Sequence, residues 1–278
     1  MKFSKRISAL LTAFALMLVT VSCDKKSDEP LSESDGGFEV TFFDEGKADC
    51  MVLKTDNSTV VIDCGVKGTG KRLTAFLEER NVSDVDCLII SHYDRDHIGG
   101  AAKLIKNFNV KQVYAPDYAD ESEELTKYND ALKQKNITPQ LLTSDVSFTA
   151  DNVEYTVFAP KQSEYSKNND NNHSLVTKAV YGDTSFVFSG DCMEERLSEV
   201  MDIGRCDLLK IPYHGRKLDN LGEFLDKTAP QYAVVLTSKK EFSSKVKSLL
   251  SDRNITYYAS CYNDTITAVS DGKAIKIK

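Results

Sequence analysis

From residue 38 onward, short β-branched and aromatic runs alternate with stretches of helical spacing. Segments 38–43, 51–54 and 60–63 are apolar runs parted by turn residues, the pattern of an antiparallel meander. Leu73, Phe76 and Leu77 then share one face of a helix predicted over 73–80. A buried strand is predicted at 85–90, running straight into Ser91-His92. It is followed by a helix at 101–108, a strand at 110–114 and a polar surface helix at 121–135. The second half has the same style. Hairpins are predicted at 148–158, turning at Asp151-Asn152, and at 174–181 with 184–189, turning at Gly182-Asp183. Helices follow at 193–201, 221–227 and 243–250, strands at 207–211 and 232–236, and the last 25 residues are strand-rich. The Asn/Ser/Lys-rich segment 161–172 reads as a loop over a site. Two β-rich halves with outer helices predict an α/β protein built as a four-layer αββα sandwich.

The amino terminus departs from this pattern. Lys2, Lys5 and Arg6 precede a mostly apolar stretch from 7 to 22, which is shorter than the ~20 residues a membrane span requires. Residues 1–22 fit a secretory signal, and Thr20-Val21-Ser22-Cys23 has the form of a lipobox, with Cys23 as the lipidated residue. Residues 23–37 are polar and read as a tether spanning about 20 Å. Residues 38–278 form the folded domain. Membrane contact is thus expected through a lipid anchor only, on an exported protein of the bacterial cell envelope.

Composition narrows the function. The chain carries a net charge of −7, and losing residues 1–22 removes three basic residues and no acidic one, leaving −10. Tight nonspecific DNA binding requires a basic face and is disfavoured, whereas hydrolysis of a phosphodiester is not. Besides Cys23 there are six cysteines. Cys50, Cys64, Cys87 and Cys261 fall in or at the end of apolar strand-like runs and read as buried free thiols, although an even count in an exported protein also permits disulfides. There is no CxxC.

Three of the four histidines lie within two residues of an acidic residue or a glycine. His92 and His97 flank Asp94 and Asp96 in Ser91-His92-Tyr93-Asp94-Arg95-Asp96-His97-Ile98-Gly99-Gly100. His173 follows Asn171-Asn172, His214 sits in Pro212-Tyr213-His214-Gly215, and Asp191 in Ser189-Gly190-Asp191. Neutral imidazoles and carboxylates are the usual nitrogen and oxygen donors for a catalytic divalent metal. Two such ions could lower the pKa of a shared water and clamp both oxygens of a displacement. One site would use His92, Asp94 and His173, the other Asp96, His97 and His214, with Asp191 between them. Asp96 and Asp94 are the candidate catalytic carboxylates. Asp63, at the end of a buried strand, and Asp49 are candidates for orienting a ligand imidazole. Lys210 reads as a snorkelling or structural lysine. Arg216 and Lys217 could grip a substrate phosphate or be plain surface charge.

The segment His92-x-Asp94-x-Asp96-His97 resembles the His-x-His-x-Asp-His loop of the metallo-β-lactamase superfamily, with Asp94 at the second His. That replacement, with Ile98-Gly99-Gly100, resembles the soluble hydrolase domain of ComEC-type DNA-uptake competence proteins. Asp44 to Asp49 is similar to the DVGQGD turn of that branch, with Lys47 and Ala48 in place of its Gln and second Gly. Leu209 to Gly215 is similar to its LKVPHHG segment, with Tyr213 at the first His and Arg216 after the glycine. The resemblance covers residues 38–278 and implies a hydrolase with two divalent metal ions, Zn or Mn. It implies a phosphodiesterase or nuclease acting on a phosphodiester or nucleic-acid substrate. Hydrolysis of an amide, ester or lactone bond, and a noncatalytic metal-stabilised binding lipoprotein, remain as alternatives. The sequence points to no protein partner.

Overall fold

The computed structural model describes residues 37–166 and 169–278. The signal, the lipobox at Cys23 and all of the tether but Gly37 lie outside the described residues.

The chain opens with the predicted meander: β1 (Phe38–Phe42), β2 (Cys50–Lys54) and β3 (Thr59–Cys64), paired antiparallel. Helix α1 (Thr69–Glu79) crosses to β4 (Asp84–Val85) and β5 (Cys87–Ile89). The histidine loop then coils into α2 (Arg95–Ile98) and α3 (Ala101–Asn107). After β6 (Asn109–Val110) and β7 (Val113–Pro116) comes α4 (Glu123–Lys135). Its first N–H groups are capped by Ser122 Oγ, which accepts from Leu125 N at 3.1 Å. Edge strand β8 (Gln140–Leu142) completes this half. The sequence gives little sign of β8, because Gln140 and Leu141 face solvent and no alternation marks the run.

The second sheet begins with β9 (Val146–Ala150) and β10 (Val153–Phe158). The segment expected to be all loop holds a single turn, α5 (Asn169–Asn172), before β11 (Val176–Tyr181) and β12 (Thr184–Phe188). Then follow α6 (Glu194–Glu199), β13 (Leu208–Lys210), a 3-10 turn (Pro212–Gly215), α7 (Leu221–Thr228), β14 (Tyr232–Val235), α8 (Ser244–Ser251) and β15 (Thr256–Ala259). Cys261, expected in a strand, lies in α9 (Ser260–Asn263). The final strands β16 (Ile266–Ser270) and β17 (Ile275–Ile277) return to the first sheet, where β16 pairs with β1. The first sheet has the order β17-β16-β1-β2-β3-β5-β7-β8 and the second β15-β14-β13-β12-β11-β10-β9.

Period-two alternation sorts the side chains into layers. Phe38, Val40, Phe42, Met51 and Leu53 from one sheet meet Tyr155, Val157, Phe186 and Phe188 from the other. Phe38 and Phe186 pack edge to face at 5.1 Å. The alternate residues Val52 and Val61 face α1, α3 and α4, while Val187 and Leu209 face α6, α7 and α8. Fully burying such a side chain contributes roughly 1.5–3 kcal/mol, so all four layers are held by the same alternation. The six cysteines among the described residues are free, five of them buried. Among the described residues no helix is long and apolar enough to cross a membrane.

Candidate metal centre

Strands of both sheets run out at one place. Asp63 is the penultimate residue of β3, His92 follows β5, Asp191 follows β12 and His214 follows β13. A backbone bond from Leu175 N to Ser91 O, 2.9 Å, ties the two halves together beside them. Glycine permits the close approach. A Cβ on Gly100 would lie 2.3 Å from Cys64 O, so only glycine lets the start of α3 lie against the end of β3. Tyr213 and His214 both hold left-handed backbone (φ 51° and 52°). Such conformations cost on the order of 1–3 kcal/mol each and persist where surrounding packing enforces them. Here they turn the His214 ring inward.

Each of three imidazoles is held by Nδ1. His97 Nδ1 lies 2.8 Å from Asp63 Oδ2, and His214 Nδ1 2.9 Å from Leu236 O. Both acceptors require a proton on Nδ1. Ser91 Oγ donates to Asp63 Oδ2 at 2.6 Å, which leaves its lone pairs for His92 Nδ1 at 3.0 Å. In the neutral rings the lone pair therefore sits on Nε2. His92, His97 and His214 Nε2 are all buried without a hydrogen bond, as is Asp191 Oδ1. Orphaned buried acceptors of this kind are costly unless something electropositive meets them.

The donor spacing suits a divalent cation. Two ligand atoms at ~2.1 Å in tetrahedral geometry lie about 3.4 Å apart. His214 Nε2 is 3.0 Å from Asp191 Oδ2 and 3.5 Å from Asp96 Oδ2, and His97 Nε2 is 3.5 Å from Asp191 Oδ1. The two oxygens of Asp191 thus face different imidazoles. His92, His97 and Asp191 form one possible ligand group, and Asp96, His97 and His214 another. The residues present fit the metals that the chemistry calls for.

Charge is balanced by two lysines. Lys210, expected to be snorkelling or structural, is fully buried and structural. Its ammonium pairs with Asp49 and donates to Gly190 O at 2.9 Å, which steadies the turn carrying Asp191. Lys47 Nζ sits 2.7 Å from Asp96 Oδ2. Burial works against the charge of Asp96, yet His214, His97 and Lys47 hold its carboxyl well below the usual range. Burial likewise opposes ionisation of Asp191, and His214 and His97 override it. Burial lowers the affinity of His97 for a proton, but Asp191 and Asp63 outweigh it and raise its pKa well above the ordinary value. His214 is raised for similar reasons, chiefly by Asp191 against burial. In the metal-free protein, protons on these rings do part of the neutralising that cations would do.

Other expected residues stand apart from these groups. Asp94 Oδ2 faces His92 Nε2 across 3.6 Å, with more than a third of its side chain exposed. His173 is buried, stacked on Tyr118 at 4.4 Å and edge-on to Tyr165, and its Nε2 lies 3.2 Å from Ser163 O. A carbonyl only accepts, so that nitrogen carries a proton and points away from the cluster. Arg216 is paired with Glu241 and Tyr213, and Lys217 with Asp219. Cys192 is buried in the apolar layer beneath α6. Sequence reasoning undervalued Lys210 and Lys47. The signal for Lys210 was a lysine inside the apolar run Leu208-Leu209-Lys210-Ile211.

The site and the sandwich define a class. The family model described as the metallo-β-lactamase superfamily matches residues 43–239. The chain belongs to that superfamily, and by class it is a metal-dependent hydrolase. Among its relatives, ComE operon protein 3 of Bacillus subtilis is 26% identical over 264 residues, covering 85% of this chain and 33% of that protein. The chain thus spans a third of that relative's length. The exodeoxyribonuclease WalJ of Streptococcus pneumoniae is 26% identical over 156 residues, 53% of this chain and 56% of that one. The solved structure of YhfI from Bacillus subtilis, a metallo-β-lactamase fold protein, superposes with a TM-score of 0.58 at 12% identity. It covers 84% of this chain and 100% of YhfI.

Proposed function

We propose that this chain is an exported, lipid-anchored phosphodiesterase or nuclease that works with two divalent cations, Zn or Mn. The observation that carries the reading is the set of three buried Nε2 lone pairs, each fixed through Nδ1, gathered beside the carboxylates of Asp94, Asp96 and Asp191. A relative whose name is exodeoxyribonuclease supports a nucleic-acid substrate. His92, His97 and Asp191 would hold one cation, and Asp96 and His214, beside the same Asp191, the other. Bound cations would supply Lewis acidity at a phosphoryl oxygen and make a water acidic enough to ionise near neutral pH. Asp63 keeps the His97 lone pair on Nε2, and Ser91 does the same for His92. Lys210 fixes the Asp191 turn from below. Asp94, the most exposed of these carboxylates and outside the ligand groups, would serve as a proton acceptor rather than a ligand.

The test is a substrate panel on the protein beginning at Cys23, loaded with Mn²⁺ or Zn²⁺. Single-stranded and double-stranded DNA, a chromogenic phosphodiester, a β-lactam and a lactone are compared. Chelator-sensitive cleavage of the phosphodiesters supports the reading, and turnover confined to the lactam or lactone overturns it.

The export half of the proposal rests on residues 1–23 and is tested separately. Cys23→Ala should move the protein from membrane to soluble exported fractions, since one acylated cysteine is the only anchor proposed. A variant that stays membrane-bound with its signal attached contradicts it.

A further inference from the structure

Lys47 stands in the turn between β1 and β2, its ammonium 2.7 Å from Asp96 Oδ2 and its side chain about one-third exposed. It therefore occupies the carboxylate oxygen that also faces His214 Nε2, where a cation would sit. An ammonium and a divalent ion cannot share that oxygen at contact distance without strong repulsion. The lysine stem is flexible and reaches solvent, so it can swing clear. The two basic residues expected to grip a phosphate are engaged elsewhere, Arg216 by Glu241 and Lys217 by Asp219. On a chain of net charge −7, a phosphodiester approaching this site has few positive groups to meet.

We infer that Lys47 is a two-position residue: it closes on Asp96 in the metal-free protein, and when a cation takes Asp96 it turns to a non-bridging oxygen of the substrate's phosphodiester. This rests on the phosphodiesterase reading for its second position only. The first position is a competition between an ammonium and a metal ion for one oxygen, and it stands whatever the substrate. Lys47 then sets specificity for anionic substrates, because its ammonium compensates a charge that an uncharged ester lacks.

Lys47→Gln tests both positions, since it removes the charge and keeps a polar side chain of similar length. Titration of the metal-free protein with Mn²⁺ against a chromophoric chelator should show affinity rising roughly tenfold or more, the value of one charge-assisted hydrogen bond. Dimethyl phosphate should bind the loaded variant roughly tenfold more weakly than the loaded wild type. KM for DNA should rise by a similar factor, with kcat changed far less. Lys111→Gln, which breaks an exposed pair with Asp86 away from the cluster, controls for net charge.

Unchanged metal affinity in Lys47→Gln overturns the closed position. An extra bound metal in the variant alone also overturns it, by showing that Lys47 permanently replaces a cation. Unchanged dimethyl phosphate affinity overturns the substrate contact. Wild-type protein that binds dimethyl phosphate yet cleaves no phosphodiester would sink the phosphodiesterase reading while leaving the metal competition in place.

Discussion

His97 donates from Nδ1 to a carboxylate on the neighbouring strand, so Asp63 decides which ring nitrogen is left for a cation. Asp63→Asn keeps the size and loses the charge and one acceptor. Loss of such an outer partner weakens metal binding by roughly 10–100-fold. A chelator competition titration should therefore show that drop, and an unchanged affinity would remove Asp63 from the account. The same titration on His173→Ala is expected to leave affinity near wild type while lowering Tm, because that ring packs between Tyr118 and Tyr165. Loss of one bound equivalent would instead place His173 among the ligands.

At the scale of elements, what was legible followed from periodicity. Phe186 and Phe188 alternate with Val187, and Leu208 with Leu209, so the two faces of each strand could be read directly. Both hairpin turns fell where Asp151-Asn152 and Gly182-Asp183 predicted them. The convergence of His92, Asp191 and His214 was readable because each follows a buried strand. Elements too short to carry a period escaped: β8 is a three-residue edge strand, and α2 and α5 are single turns. The proton on His173 Nε2 and the burial of Lys210 depend on partners 10 and 20 residues away in sequence, Ser163 and Gly190, which no local pattern marks. Packing at the β3–α3 corner yields its own prediction. Gly100→Ala would push a methyl to 2.3 Å from Cys64 O and 2.8 Å from Gly70 N. Both neighbours are backbone, so urea unfolding should show a loss of roughly 1–3 kcal/mol or more. Wild-type stability would mean that the corner yields more easily than its geometry implies.

For the whole molecule, the buried charges make stability depend on pH in opposite senses with and without metal. His97 and His214 have raised pKa values in the folded metal-free protein. Their contribution is fully present below an unfolded value of about 6.5 and is lost as pH rises through the folded values. Asp96 and Asp191 are lowered, so theirs is present above about 3.9 and lost as pH falls through the folded values. Metal-free Tm should accordingly decline as pH rises from about 6.5. With metal bound, ions replace the imidazole protons, and Tm should rise over the same window. Scans in chelator and in Mn²⁺ from pH 5.5 to 8.5 check this, and parallel slopes in the two series would contradict it. The central claim, that these buried donors assemble a hydrolytic metal centre, is tested most directly by turnover and metal content of Asp96→Asn and Asp191→Asn beside wild type. Wild type should hold two divalent ions and cleave a chromogenic phosphodiester. Each variant should lose bound metal and on the order of a hundredfold or more in turnover, while staying folded. Undiminished metal content and turnover in both variants would contradict the account.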